Sequence, residues 1–189
     1  DRDNPFSWYG FVRFEKELAD PAFCRRLKQS GCRMLKLGLE SGDPDVLDRM
    51  NKGTDLDTVS DILKSLDHAG ILSFVYLLFG TSFEDEAAAF RTLEYVKAHQ
   101  QFIHYLNLAV FNLPRFSDDA RGLETMPFYQ GDLSLYLDFV HPRGWRRRQV
   151  KQFLDKHFKP ALAKGHIRKN PAFFSSNHAA FFPFERTPS

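Results

Sequence analysis

Apolar and polar positions alternate between two periods along the first 113 residues, and the change of period marks the elements. "WYGFVRF" (8–14) is aromatic and β-branched and predicts a strand. Asp20-Pro21 sets a capping residue before a proline at the first helical position, opening "PAFCRRLKQSG", which Gly31 closes. "RMLKLGLES" (33–41) follows as a strand whose Met34, Leu35, Leu37 and Leu39 suit burial on both faces. Asp43-Pro44 repeats the cap and starts a short helix carrying Val46, Leu47 and Met50.

In "LDTVSDILKSLDHAG", Leu56, Val59, Ile62, Leu63, Leu66 and Ala69 fall at three- and four-residue steps, one apolar stripe on a helix ended by Gly70. "ILSFVYLLFG" (71–80) has the nearly unbroken apolar character of a buried parallel strand. Ser82 with Asp85 three residues on predicts a capping box before "FEDEAAAFRTLEYVKAHQ", and "FIHYLNLAVFNL" (102–113) is a fourth strand. Strands and helices alternating at this spacing predict parallel βαβ units, hence an α/β fold. Residues 1–113 form one unit of this kind. Residues 114–189 change character: a loop-like stretch over 114–132, a basic amphipathic helix in "RGWRRRQVKQFLDKHFKPALAKG", and an aromatic tail, expected to pack on the first unit as an extension.

Composition narrows the function classes. The charged and hydrophobic fractions are ordinary for a globular protein, and no apolar run approaches the length of a membrane helix. With no leader-like segment at the start of the sequence, the expected address is cytoplasmic. A net charge of +2 argues for no polyanionic partner by itself, and a nucleic-acid partner is not expected: the basic helix, which could grip a phosphate backbone, reads rather as a solvated face or a surface for another domain. The 20 phenylalanines, many of them in the last third, predict an apolar surface that something covers. Cys24 and Cys32 are too sparse for a disulfide framework or a metal knuckle. His68, His99 and His104 lack the spacing of a metal site, and Asn177-His178 reads as part of a packed tail.

Ligands of parallel α/β folds bind at strand C-termini. That rule selects Arg13, Glu40-Ser41, the stretch from Tyr76 to Ser82, and Asn107 to Asn112. Glu40 is the most pointed: a carboxylate closing an apolar strand can accept hydrogen bonds from a ribose diol or pair with an ammonium group. Gly38 and Gly42 allow close approach of a ligand. The plainer role, capping the next turn or pairing with a lysine, weighs equally on these residues alone.

The order "LGLESGDPDVLDRMNKG", an amphipathic helix ending "HAGI", and an apolar strand ending in Gly80 with Glu84-Asp85 resembles the radical S-adenosylmethionine superfamily, especially members with a cobalamin-binding domain ahead of the barrel. The likeness covers about residues 8–113. It implies a partial parallel (β/α) barrel with a helical, aromatic-rich C-terminal extension. It implies an enzyme using S-adenosylmethionine and a 4Fe–4S cluster, with a cobalamin as a further cofactor in that subgroup. Glu40 matches a residue that reaches the ribose or the amino group of the cofactor, with Ser41 beside it. Lys52 falls near the cofactor carboxylate and Tyr76 at a ribose contact. Gly80 and Thr81 belong to the stretch against adenine, and Arg13 points into the barrel.

Two departures stand out. The three-cysteine C-x3-C-x2-C loop is absent, so the cluster and the first strands are expected in a preceding N-terminal part, and the chain alone is expected to be inactive. "FGTSFEDE" replaces a turn that ordinarily holds proline. Catalytic residues, substrate and metal ligands in this chain are not assigned. Two other readings stay open: a different βα enzyme that binds a nucleotide or phosphate, and a noncatalytic module that docks a partner.

Overall fold

A computed structural model describes residues 6–163 and the backbone of a strand at 172–174. Four strands, β1 (Trp8–Val12), β2 (Cys32–Glu40), β3 (Leu72–Phe79) and β4 (Tyr105–Val110), lie side by side in sequence order, every pair parallel. Ala172–Phe174 extends the sheet as a further parallel strand beside β4. The crossings carry helices α1 (Pro21–Gln29), α2 (Pro44–Arg49), α3 (Leu56–His68) and α4 (Glu86–His99).

All four helices begin at an aspartate. Asp20, Asp43, Asp55 and Asp85 each accept a hydrogen bond from a backbone N–H of the first turn, at 2.8–2.9 Å. Such a cap contributes about 1 kcal/mol. The expected capping box at Ser82 is corrected here: Asp85 is the cap itself, and α4 starts one residue later.

The sheet has two unlike faces. Leu35, Leu37, Leu39, Val75, Leu77 and Phe79 point to the helices and meet the stripes of α3 and α4, including Val59, Ile62, Leu63 and Leu93. The opposite face carries Met34, Phe74, Tyr76 and Tyr105. On β1 it leaves Phe11 66% exposed. A four-stranded parallel sheet with helices on one side is the arrangement of part of a (β/α) barrel, whose inner face this second surface is.

The stretch read as loop contains short antiparallel pairings instead. β5 (Leu113–Pro114) and β6 (Thr125–Met126) flank β7 (Tyr136–Phe139), with a one-turn helix α5 (Asp118–Arg121) between β5 and β6. Two-residue strands carry too little hydrophobic alternation to be read in advance. The fourth strand is correspondingly shorter than 102–113, since Phe102 ends a 3₁₀ turn and Leu113 belongs to β5. The basic helix forms as α6 (Arg147–Phe153), a π turn at Leu154–Phe158, and α7 (Lys159–Ala163). Pro160 has no N–H and would crowd the carbonyl of residue 156 in a regular helix, and the wider turn ahead of it relieves that. Val150, Phe153, Phe158 and Leu162 join the core cluster formed by Leu77, Phe79 and α4. Asn177-His178 lies outside the described residues.

Candidate functional site at the strand C-termini

Glu40 ends β2 in a conformation that L-residues avoid. Its φ is +66°, and the Ser41 N–H reaches back to the Leu39 carbonyl at 2.8 Å, closing a γ-turn across it. Pairing with β3 slips at the same place: Gly38 pairs with Tyr76 and Glu40 with Leu77, which leaves Leu39 as the extra residue of a bulge. The result re-aims the Glu40 side chain. Its Oε1 stands over Gly38, where a Cβ would lie only 2.9 Å away, so glycine is required for the carboxylate to rest there. Backbone of this kind costs about 1–3 kcal/mol and persists where neighbours enforce it.

Lys52, just beyond the positive-φ Asn51, pairs with Glu40 at 3.3 Å. The two side chains are 40% and 21% exposed respectively, so the ion pair sits at the open rim and is reached by solvent. Tyr76 is one strand over, its ring 4.8 Å from Phe74 and 6.1 Å from Phe11. The Tyr76 hydroxyl is buried with no hydrogen-bond partner among the described residues, and burial pushes it above the usual tyrosine range. Arg13 is exposed one residue past β1.

Ser41 is placed differently. Its hydroxyl is buried, shares a hydrogen bond with Thr92 of α4 at 3.1 Å, and accepts the Asp43 N–H. It braces the turn after β2 against α4. Asp43 completes that brace through an ion pair with Arg91.

Lys36 was not singled out by the sequence reading. It lies two residues before Gly38 on the same face, 2% exposed, with Nζ 4.4 Å from the Phe11 ring and 4.9 Å from Tyr9. Burial lowers its ammonium below the usual lysine range. The available signal was a lysine in phase with Gly38 inside an otherwise apolar strand.

Gly80 and Thr81 sit at the end of β3 in a second, closed cluster. Gly80 has φ +82°, and a Cβ there would press on Val150 of α6 at 3.2 Å. Its N–H donates to the Glu84 carboxylate, which also accepts from Trp145 Nε1 at 2.9 Å. Glu84 is 1% exposed, and burial raises its carboxyl to about 7 against the two hydrogen bonds that favour the charged form. His141 donates from Nε2 to the Thr81 carbonyl at 2.8 Å, while its Nδ1 accepts the N–H of Arg143 and Trp145. Burial holds this imidazole below its usual range, and an Nδ1 that accepts two backbone N–H groups belongs to the neutral Nε2–H form. The Gly80 N–H and Thr81 carbonyl are therefore engaged inside the fold. The Thr81 hydroxyl is buried without a partner among the described residues.

The donor set does not fit an iron–sulfur cluster. No three His, Cys, Asp or Glu among the described residues are grouped as metal ligands. Cys24 and Cys32 are buried on the helix side, and burial raises both thiols, Cys32 to about 11, the reverse of what a ligating thiolate needs.

No protein-family model matches the sequence, and no curated protein matches it. Among solved structures, the radical S-adenosylmethionine methyltransferase TsrM from Kitasatospora setae, with cobalamin and a 4Fe–4S cluster bound, is similar at 19% identity and a TM-score of 0.54 over 71% of this chain. The same enzyme with tryptophan and a cofactor analogue bound aligns at 20% identity and a TM-score of 0.51 over 60% of this chain. The matched part is 28% of the TsrM chain in the first case and 22% in the second. The likeness is one of fold: the parallel sheet and its helices have the arrangement of part of a radical S-adenosylmethionine enzyme.

Proposed function

We propose that this chain supplies part of a radical S-adenosylmethionine barrel and that Glu40 and Lys52 orient the cofactor at its rim. The observation that carries the reading is the strained turn at Glu40. A carboxylate held at φ +66° over a glycine, beside a partly exposed lysine, is an arrangement the fold maintains at a cost. The neighbouring opposite charges complement the zwitterionic end of an amino acid, Glu40 facing the ammonium and Lys52 the carboxylate. The partnerless Tyr76 hydroxyl, on the adjoining strand, offers a hydrogen bond to a ribose oxygen. Glu40 is a positioner in this reading, with no proton to transfer.

No step of cluster chemistry is assigned to these residues. In this reading the thiolate ligands of the cluster are supplied by other sequence, since Cys24 and Cys32 are buried on the helix side. The fold likeness supports the reading in that it covers 71% of this chain.

A titration followed by ¹H–¹⁵N NMR tests it. S-adenosylhomocysteine added to the chain should bind weakly, because these strands form only part of a pocket. It should shift Gly38, Glu40, Lys52 and the Tyr76–Gly80 stretch, and Glu40→Gln should remove those shifts. Shifts confined to other surfaces, or none at saturating ligand, would overturn the proposal. Shifts induced at another loop by adenosine monophosphate or phosphate alone would favour the nucleotide-binding alternative.

A further inference from the structure

A second charged region lies on α6 and the segments beside it. Residues 143–159 hold seven lysines and arginines against the single acid Asp155, in a chain of net charge +2, so the remainder is net acidic. α6 buries Val150 and Phe153 against the core, which turns Arg148, Lys151 and, within the π turn, Lys156 outward along one side. That side forms one wall of a groove of about 660 Å³ whose opposite wall is the β6–β7 ribbon and the residue after it, through Met126, Phe139 and Val140, with Asp138 the one acid on that wall. Among the described residues, Arg146, Arg148, Lys151 and Lys156 form no ion pair, whereas Asp155 is already paired with Lys159.

We propose that this groove binds single-stranded nucleic acid, independently of the cofactor reading. Four unpaired cations along a concave path match the spaced charges of a phosphodiester chain, and arginine is the side chain best suited to phosphate oxygens. The ribbon adds what a phosphate track alone lacks. Phe128, in the connection between β6 and β7, reaches the space beside Arg146 and Arg147 and is 45% exposed; Tyr129 is exposed in the same connection and Tyr136 on β7. Exposed rings next to a cationic groove are the stacking surfaces on which unpaired bases settle. A membrane is disfavoured by the same geometry, since the apolar side of α6 is spent on the core and nothing apolar projects from its basic side. An acidic polypeptide would use the cations and leave the rings without a role.

Fluorescence anisotropy with a short labelled single-stranded RNA of mixed sequence, read across a salt series, decides the matter. The wild-type chain should bind with a clear salt dependence. R148E/K151E/K156E should weaken binding at least about tenfold and flatten the log–log salt slope by about 2, three contacts at roughly 0.7 each. Circular dichroism shows whether that variant keeps its fold, and Phe128→Ala, which leaves the charge unchanged, should weaken binding by several-fold. R25E/R49E/K97E changes the net charge equally on exposed surface elsewhere and should bind like wild type. Equal losses in both triple variants would overturn the proposal. So would tighter binding of polyglutamate or phosphatidylserine vesicles than of RNA, pointing to an acidic protein or a membrane.

Discussion

Two glutamates stand near the same rim, and they are put to opposite uses. Glu40 is partly exposed, held in a left-handed turn, and its one charged partner is a solvent-reached lysine. Glu84 is buried, and its carboxylate ties the end of β3 to the Trp145 indole more than sixty residues away. The first has an oxygen within reach of solvent; the second takes both of its hydrogen bonds on Oε2 inside the fold, and its buried Oε1 has no partner among the described residues. A carboxylate open to a ligand thus differs from a carboxylate that latches two segments by what already surrounds it.

That contrast is sharpest in its pH dependence. Glu84 is raised from 4.5 to about 7 by burial, so the folded chain binds the extra proton between those values. Its contribution to stability is full below about pH 4.5 and is lost as pH rises through 7, a total on the order of 3 kcal/mol. His141 pulls the other way, because its lowered value makes stability fall as pH drops through the usual imidazole range. The informative quantity is therefore a difference. Urea unfolding of Glu84→Gln should match wild type near pH 4.5 and exceed it by about 3 kcal/mol above pH 8. A constant difference across that range would mean Glu84 does not titrate where its burial puts it.

Glu40 should respond in the reverse sense. Glu40→Gly relieves the positive φ and should raise stability by up to about 1 kcal/mol, after the entropy glycine costs the unfolded chain. The same variant should lose the ligand-induced shifts at the rim. Destabilisation would show that the turn is held by the side chain, and would blur the line between the two glutamates. The smallest effect belongs to Lys52→Ala, expected within about 0.5 kcal/mol of wild type, a difference that added salt should shrink, as for other exposed pairs. Its ligand response should fall nonetheless, and a loss of stability with no loss of binding would make the pair structural.

Much of the α/β part was legible in advance because each signal was local. The aspartate–proline starts at Asp20 and Asp43, the stripe on α3, and the apolar run of β3 each depend on residues within one or two turns of one another. The misreadings share a cause as well. Ser82 lost the cap to Asp85 because two acceptors three residues apart fit one pattern, and backbone geometry chose between them. β5–β7 escaped because each of their pairings spans only two residues. Lys36 escaped because an apolar strand that sits between two layers hides which face a lysine takes.

The alternation of strands and helices and the aspartate–proline helix starts at Asp20 and Asp43 were determined by the sequence itself, since period and capping act over a few residues. Which of those positions is open and which is closed was decided only by the tertiary structure. Burial of Glu84 needs Trp145 and α6 to arrive from far along the chain, and the aim of Glu40 needs a slipped register against β3. Desolvation and register are properties of packed neighbours, and no single segment contains them.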